Sequence, residues 1–457
     1  SVELTGFSDY LDAHPPLGSA YLPTASYTEM GEWALPAPAQ ARVLELGELA
    51  EKADPALKPF VRGGFWRNFF VKYEESHWMH KRMLWTGRAL EAARAEARLA
   101  PDLLDEAEDL LLQAQCNCGY WHGLFGGLYL PHLRRGRFGR RGRAGRLCGP
   151  PACWCLSEER DVGGQDGRIW ASPAARLFIK PRGGVVRELD YLERPFPFSN
   201  VLSRREETYH AKLRRLSAAK APAASGAGAE EGAVSIHEIV TAKEEGLEAY
   251  LIEDPHPRAG LEEKLYAAGT EELDYCGAWL DFAEQIFRVE APTDPEGELR
   301  LSAELEFEPG RRLSLVKRLN WAEAGSALAV LLCLEYRGSD SLRARFASGW
   351  NINLLAPDAP DRRVLVDGRP AADPRLRSRG PERGDRLELR DDWSGVRLAL
   401  AGTGLSFYRE PIETVSLSEA GFERVYQGSW LCVSREIDLA DGESVCLHYR
   451  VEMSPAD

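Results

Sequence analysis

Residues 111–132 read LLQAQCNCGYWHGLFGGLYLPH, a largely apolar run that packs two Cys, four aromatics and two His between glycines. The approach to it, residues 102–115, spaces Leu103, Leu104, Leu110, Leu111 and Ala114 as a helix with one buried face. Asn117, Tyr120, Trp121 and His122 follow where that helix ends, and Gly123, Gly126 and Gly127 let the backbone turn tightly. A flat aromatic beside amide and imidazole groups suits a sugar, whose C–H face stacks on the ring while its hydroxyls bond at the rim. A buried helix end with a satisfied Trp explains the same residues without a ligand.

The chain is longer than one core can organise. At 457 residues it should hold two or three domains, and 44% apolar with 28% charged residues places it in the globular class. A net charge of -14 argues against nucleic acid as a partner. No apolar run approaches the ~20 residues needed to span a bilayer, and the start carries no signal-peptide pattern, so a cytoplasmic protein without a membrane partner is expected. Nine Cys, an odd number without repeating spacing, fit a reducing compartment better than a disulfide scaffold.

Upstream, residues 1–22 read as loop. In YLPTASYTEMGEWALPAPAQ, Ser26 and Glu29 have capping-box spacing for a short helix ended by Pro36 and Pro38. That leaves Tyr27 and Trp33 crowded into the segment without an explanation. Residues 39–53 read as an amphipathic helix, and 62–68 (RGGFWRN) as a glycine turn presenting Phe65, Trp66 and two cations. A long helix over 75–98 joins the one at 102–115 in a small bundle. His77 and His80 lie three apart on it, but with no third ligand nearby they read as surface or capping residues, and no metal is expected there.

Composition then changes abruptly. Seven Arg fall within 134–146, followed by Cys148, Cys153 and Cys155 beside two Pro. A basic arm, a Cys cluster of non-standard zinc spacing and a misread GC-rich segment are alternatives to the preferred reading, an exposed irregular loop. Asp161, Asp166 and Gly167 sketch a turn that could weakly hold a calcium ion, though without the full calcium-loop series; no other cofactor is expected. Beyond it the period becomes 2. Strands are expected at 176–179, 185–192, 249–252, 299–307, 327–336, 364–366, 387–389, 396–401, 429–437 and 444–451, with a strand also favoured at Asn351–Asn353. Residues 200–215 read as a polar connection and 218–232 as an Ala/Gly linker. Many strands with regular turns argue for a large antiparallel β-sandwich. No nucleophile elbow, phosphate loop or dinucleotide fingerprint stands where it would be needed, so spacing alone discloses no active site.

The segments YLPTASYTEMGEWALP, GGFWRNFFVKYEESHWMHKRML and QCNCGYWHGLFGGLYLPHLRR together resemble the later part of glycoside hydrolase family 57, particularly its 4-α-glucanotransferases and α-amylases. NVLSRREETYH, VSIHEIVTAKEEGLEAYLIEDPHPRAGL and WNINLLAPDAPDR are similar to the C-terminal sandwich domains of those enzymes. The resemblance implies a retaining enzyme of α-1,4-glucans with a Glu nucleophile and an Asp acid/base, held about 5–5.5 Å apart on an incomplete (β/α) barrel. The family's His-Gln-Pro motif and both carboxylates lie upstream of the SYTEM segment. By that reading most of the barrel precedes Ser1, no catalytic residue is assigned here, and the chain should not turn over glucan alone.

The implied architecture is α+β and multidomain: 1–38 a barrel remnant, 39–135 the helical bundle, 136–160 an irregular Arg/Cys-rich loop, and 161–457 a galactose-mutarotase-like antiparallel β-sandwich with a flexible insert at 216–233. The implied sugar-contacting residues are Trp121 as stacking platform, with Asn117, Tyr120, His122, Tyr27, Glu29, Trp33 and Trp66 around it. Position 118, often acidic in the family, is Cys118 here, a departure from the pattern that carries a polar role at that position. The expected partner is an α-glucan or maltooligosaccharide, with a homodimer through the sandwich also fitting. The reading of a different class is a non-catalytic carbohydrate-binding or structural module built from the same bundle and sandwich.

Overall fold

The computed structural model describes residues 4–21, 24–123, 126–148, 154–158, 167–220, 242–292, 294, 297–418 and 421–456. The chain divides into two compact units, Ser1–Lys72 and Tyr73–Asp457.

The first unit carries helices α1 (Phe7–Ala13), α2 (Thr28–Trp33), α3 (Ala37–Ala53) and α4 (Trp66–Lys72). The helix at Phe7–Ala13 replaces part of the loop expected over 1–22. The Ser26–Glu29 capping box does not form: Tyr27 is the N-cap of α2 and makes no side-chain cap, while the Ser26 Oγ accepts from the Trp66 amide at 3.1 Å. That bond and one from the Gly64 amide to the Gly31 carbonyl (2.7 Å) tie α2 to the glycine turn. A Cβ at Gly63 would fall 2.2 Å from the Gly31 carbonyl oxygen, so the approach admits only glycine.

In the second unit the bundle is α5 (Glu74–Ala95), α6 (Pro101–Ala114) and α7 (Pro131–Cys148). Leu90 and Ala93 of α5 pack against Ala107 and Leu111 of α6, and Leu111 is the member of that contact expected on the buried face. Helix α7 corrects the expected irregular loop at 136–160, as does a strand at Trp154–Glu158. The Arg/Gly run is helical because its surroundings take up its donors: Phe138 and Ala144 are buried, Arg137 Nε donates to the Cys116 carbonyl (2.7 Å), and Arg143 pairs with Glu106 on α6 (2.5 Å). A fourth helix, α8 (His210–Lys220), occupies the start of the expected insert. Residues 221–233 of that insert, with Asp161 and Asp166, lie outside the described residues.

Two antiparallel sheets make the sandwich. In hydrogen-bonded order the first runs Trp154–Glu158, Gly167–Ala171, Ala175–Lys180, Val185–Tyr191, Gly260–Ala267, Leu342–Ile352, Gly421–Leu439, Ser406–Ser418 and Gly380–Glu382. The second runs Arg369–Pro370, Arg362–Val366, Arg386–Asp391, Val396–Ala401, Ser444–Pro455, Ala327–Arg337, Arg311–Ala322, Leu299–Glu308 and Arg288–Glu290. The core lies between them, with Leu177, Leu265, Phe346 and Leu431 facing Leu315, Leu332, Leu398 and Leu447. Strands of the second sheet alternate buried with half-buried residues, as in Ala327–Arg337, because the outer face meets water. The segment expected as a strand at 249–252 is instead a 3-10 turn at Leu247–Tyr250.

Cysteine usage also needs correction. Cys333 and Cys446 stand directly opposite on neighbouring strands, Cα atoms 4.2 Å apart, and form a disulfide. They are 113 residues apart in sequence, so no local spacing announces the pair.

Candidate functional site

The 111–132 stretch leaves α6 at Ala114 and doubles back into α7. Tyr120 is buried; its hydroxyl donates to the Ala114 carbonyl (2.8 Å) and its carbonyl accepts from Ser76 Oγ (2.6 Å), locking the helix end. The turn needs Gly127: its φ is +46°, and a Cβ there would sit 1.9 Å from the Trp121 carbonyl oxygen, which instead accepts the Leu128 amide at 2.7 Å.

His122 is fully buried. Its Nδ1 bonds the Gly126 carbonyl (3.0 Å), its Nε2 meets the Tyr209 hydroxyl (3.3 Å), and its ring stacks on Tyr129 with centroids 4.1 Å apart. Tyr73 and Tyr129 both donate to Glu207 Oε1, at 2.7 and 2.8 Å. Burial, and then the Glu207 charge, push both phenols well above the usual tyrosine range, so they stay protonated donors.

Arg134, the first arginine of the basic run, is wholly buried. It donates to the Leu128 carbonyl, to Asn200 Oδ1 (3.2 Å) and to Gln427 Oε1 (2.7 Å), and burial lowers its pKa to about 9. Gln427 completes the link by donating to the Tyr129 carbonyl (2.9 Å) and to Thr414 (2.8 Å). Beside it Glu75 takes both oxygens to Arg205 (2.7 Å each) and accepts the Ser203 amide (3.0 Å). Burial alone would raise the Glu75 carboxyl, but Arg205 and Arg187 hold it at about 2. Tyr120, His122 and Tyr129 of the opening stretch therefore belong to a buried polar joint that fastens the bundle to the sandwich.

Of the residues read from sequence as sugar contacts, Tyr120 and His122 belong to this joint, and their burial takes them off the surface. Trp121 is half-buried and Asn117 exposed at the same turn, where a ligand can reach them. Tyr27, Glu29, Trp33 and Trp66 lie in the first unit. There Tyr27 and Glu29 are exposed, Trp33 and Trp66 half-buried, and the Ser26–Trp66 bond brings α2 and α4 together. Lys72 donates to the Trp33 carbonyl at 3.4 Å and sits 5.9 Å over its ring. No group of three or more His, Cys, Asp or Glu among the described residues is disposed to hold a metal.

Sequence reasoning missed the groups that make the joint, Glu75, Arg134, Glu207 and Gln427, since isolated polar residues in polar segments carry no periodic signal. A second charged cluster, on the outer face of the first sheet, was equally hidden. Asp254 there receives Arg204 and Arg258 (2.7 Å each), Asn351 bonds Glu262 (2.8 Å), and His256 bonds Asp281 (3.0 Å).

A helical bundle fixed through a buried polar joint to a two-sheet antiparallel sandwich defines the class of fold, a bundle-and-sandwich assembly. Residues 161–447 match the family description "Alpha-amylase/4-alpha-glucanotransferase, C-terminal" and residues 64–147 its "middle domain". The chain belongs to this α-amylase/4-α-glucanotransferase family, glycoside hydrolase family 57. It is 35% identical to Alpha-amylase 1 of Dictyoglomus thermophilum over 448 residues, which cover 95% of this chain and 61% of that protein. It is 37% identical to the 4-alpha-glucanotransferase of Thermococcus kodakarensis over 277 residues, 60% of this chain and 39% of the relative. The solved 4-alpha-glucanotransferase of Thermococcus litoralis superposes on 99% of this chain and 63% of its own, with TM-score 0.73 at 26% identity. The chain thus spans less than two thirds of the length of the relatives it matches. Among the described residues no helix is long and apolar enough to cross a membrane.

Proposed function

We propose that these residues form the bundle-and-sandwich portion of a retaining enzyme acting on α-1,4-glucan, of the 4-α-glucanotransferase or α-amylase kind, and that by themselves they hold glucan without cleaving it. The observation that carries the reading is the alignment with an α-amylase along 95% of this chain but only 61% of the relative. Trp121 is the stacking platform and Asn117 its hydrogen-bonding neighbour. The joint beneath keeps them in place, because Tyr120 and His122, on either side of Trp121, are locked by backbone and phenol partners.

The test is to titrate the 457-residue chain with maltoheptaose by calorimetry and analyse the mixture for new oligosaccharides. Binding without products, weakened in Trp121→Ala, is expected. Products would overturn the inactivity of the isolated chain, and binding unchanged in Trp121→Ala would overturn the site. Intact mass in the native source separates the two classes of function. A mass near 50.9 kDa identifies a free-standing binding module, and a larger one identifies part of a longer enzyme.

A further inference from the structure

On the opposite side of α7 from the joint, an open groove of about 820 Å³ runs between the bundle and the sandwich. At its edge Trp393 is 77% exposed, an unusual place for so large an apolar ring. The turn carrying it is clamped: Asp391, wholly buried, accepts the Ser394 amide (2.9 Å) and the Ser394 hydroxyl (2.5 Å). Arg135 of α7 also donates to the Ser394 hydroxyl and lies 4.5 Å over the Phe196 ring. The turn that carries the indole is thus fixed, so little backbone ordering entropy is lost when a ligand stacks on it.

We infer that this groove is a second α-glucan-binding surface, with Trp393 as its stacking platform; the inference rests on the glucan reading given above. Gln113, His132, Arg140 and Glu193 line the same groove. Planar polar groups of this kind can engage neighbouring hydroxyls of a sugar two at a time. The groove is open rather than closed, which lets a chain run through instead of burying a single ring. A polyanion fits less well. Of the lining arginines, Arg135 faces Asp391 (3.8 Å) and Arg143 is paired with Glu106 (2.5 Å), Arg140 and Arg194 share the lining with Glu193, and the whole chain carries a net charge of -14. Such a surface would keep the protein on long polysaccharide between encounters at the Trp121 turn.

Native electrophoresis of the 457-residue chain through gels with and without soluble starch tests it, with thermal midpoints checking that each variant is folded. Trp393→Ala should lower the affinity for starch at least fivefold, and Arg140→Ala about two- to threefold, at unchanged midpoint. Retardation of Trp393→Ala equal to that of the unsubstituted chain, which itself is retarded, overturns the groove and leaves the glucan reading standing. An unsubstituted chain retarded by no α-glucan overturns the glucan reading itself. Retardation by dextran sulfate but not by starch assigns the groove to polyanions and overturns the proposal.

Discussion

Gly127 shows how one residue sets the geometry of the 117–134 turn. Its positive φ and the Trp121 carbonyl 1.9 Å from where a Cβ would lie leave no room for a side chain. Gly127→Ala should cost at least about 2 kcal/mol and shift the Trp121 turn, read as a lowered thermal midpoint and weaker maltoheptaose binding. Glu75 is a different case, a buried carboxylate held on Arg205 through two bonds. Replacing it by Ala strands a largely buried guanidinium, and a loss of about 3 kcal/mol in urea unfolding is expected. Neither effect is visible in the sequence. A glycine in GLFGG announces a turn but not its hand, and KYEESH reads as a solvated helix start.

At the scale of elements, α7 is the instructive one. Its sequence, PHLRRGRFGRRGRAGRLC, places Gly136, Gly139, Gly142 and Gly145 in its interior, has no apolar stripe and carries a run of like charges, so propensity argues against a helix. Tertiary partners reverse that preference, since Arg134, Arg137 and Phe138 are buried against the joint and α6. The consequence is a sharp asymmetry along one helix. Arg143→Ala, at a pair more than one third exposed on both sides, should change stability by under about 1 kcal/mol. Arg134→Ala, which orphans Asn200, Gln427 and a backbone carbonyl, should cost several times more by the same measurement. The Cys333–Cys446 bond is a second device at this scale, closing a 113-residue separation across adjacent strands. Its removal in Cys333→Ser should cost about 2–4 kcal/mol. Reductant should lower the thermal midpoint of the unsubstituted chain and not that of the variant.

Across the whole molecule, buried ionisable groups give stability a defined pH window. Burial alone would raise Asp254 and Glu75, but their arginine partners hold both at about 2. Their folded values lie below the unfolded ones, so their contribution is complete above about pH 4.5 and is lost as pH falls toward 2, at about 2–3 kcal/mol each. Glu263 acts in the opposite sense. Burial, opposed by Lys317, pushes it up to about 7, so stability falls as pH rises through that value. Through these groups the urea midpoint should fall as pH drops toward 2, and the share carried by Glu263 should fall as pH rises toward 7. A Glu263→Gln variant whose midpoint changes between pH 5 and 8 just as that of the unsubstituted chain does would contradict the assignment of Glu263.

The same buried charges hide part of the fold from a reading of the sequence. The strands of the second sheet stand out because one face is wet and the alternation survives, as at Leu299–Glu308, expected at 299–307. Three strands of the first sheet, GLEEKLYA, LRARFASGWNI and SFYREPIETVSLS, show no such pattern, and only the tail at Asn351 is legible. Both of their faces are covered, and Glu262, Lys264, Arg345 and Glu410 are buried there beside opposite charges instead of marking a solvent side.

Local periodicity and contiguous motifs suffice for the helices at 37–53, 74–95 and 101–114, for most of the second sheet, and for the family. Contacts between distant parts of the chain are what make the arginine run a helix, bring Cys333 to Cys446, and place Tyr120 and His122 in the joint rather than on the surface. They also set Trp393 above a groove. In each of these the deciding partner is supplied from another part of the fold, whether Asn200 and Gln427 for Arg134 or Tyr209 for His122. A buried donor or charge is stable only where its partner stands, and the order of residues along the chain does not say which partner that is until the chain has folded.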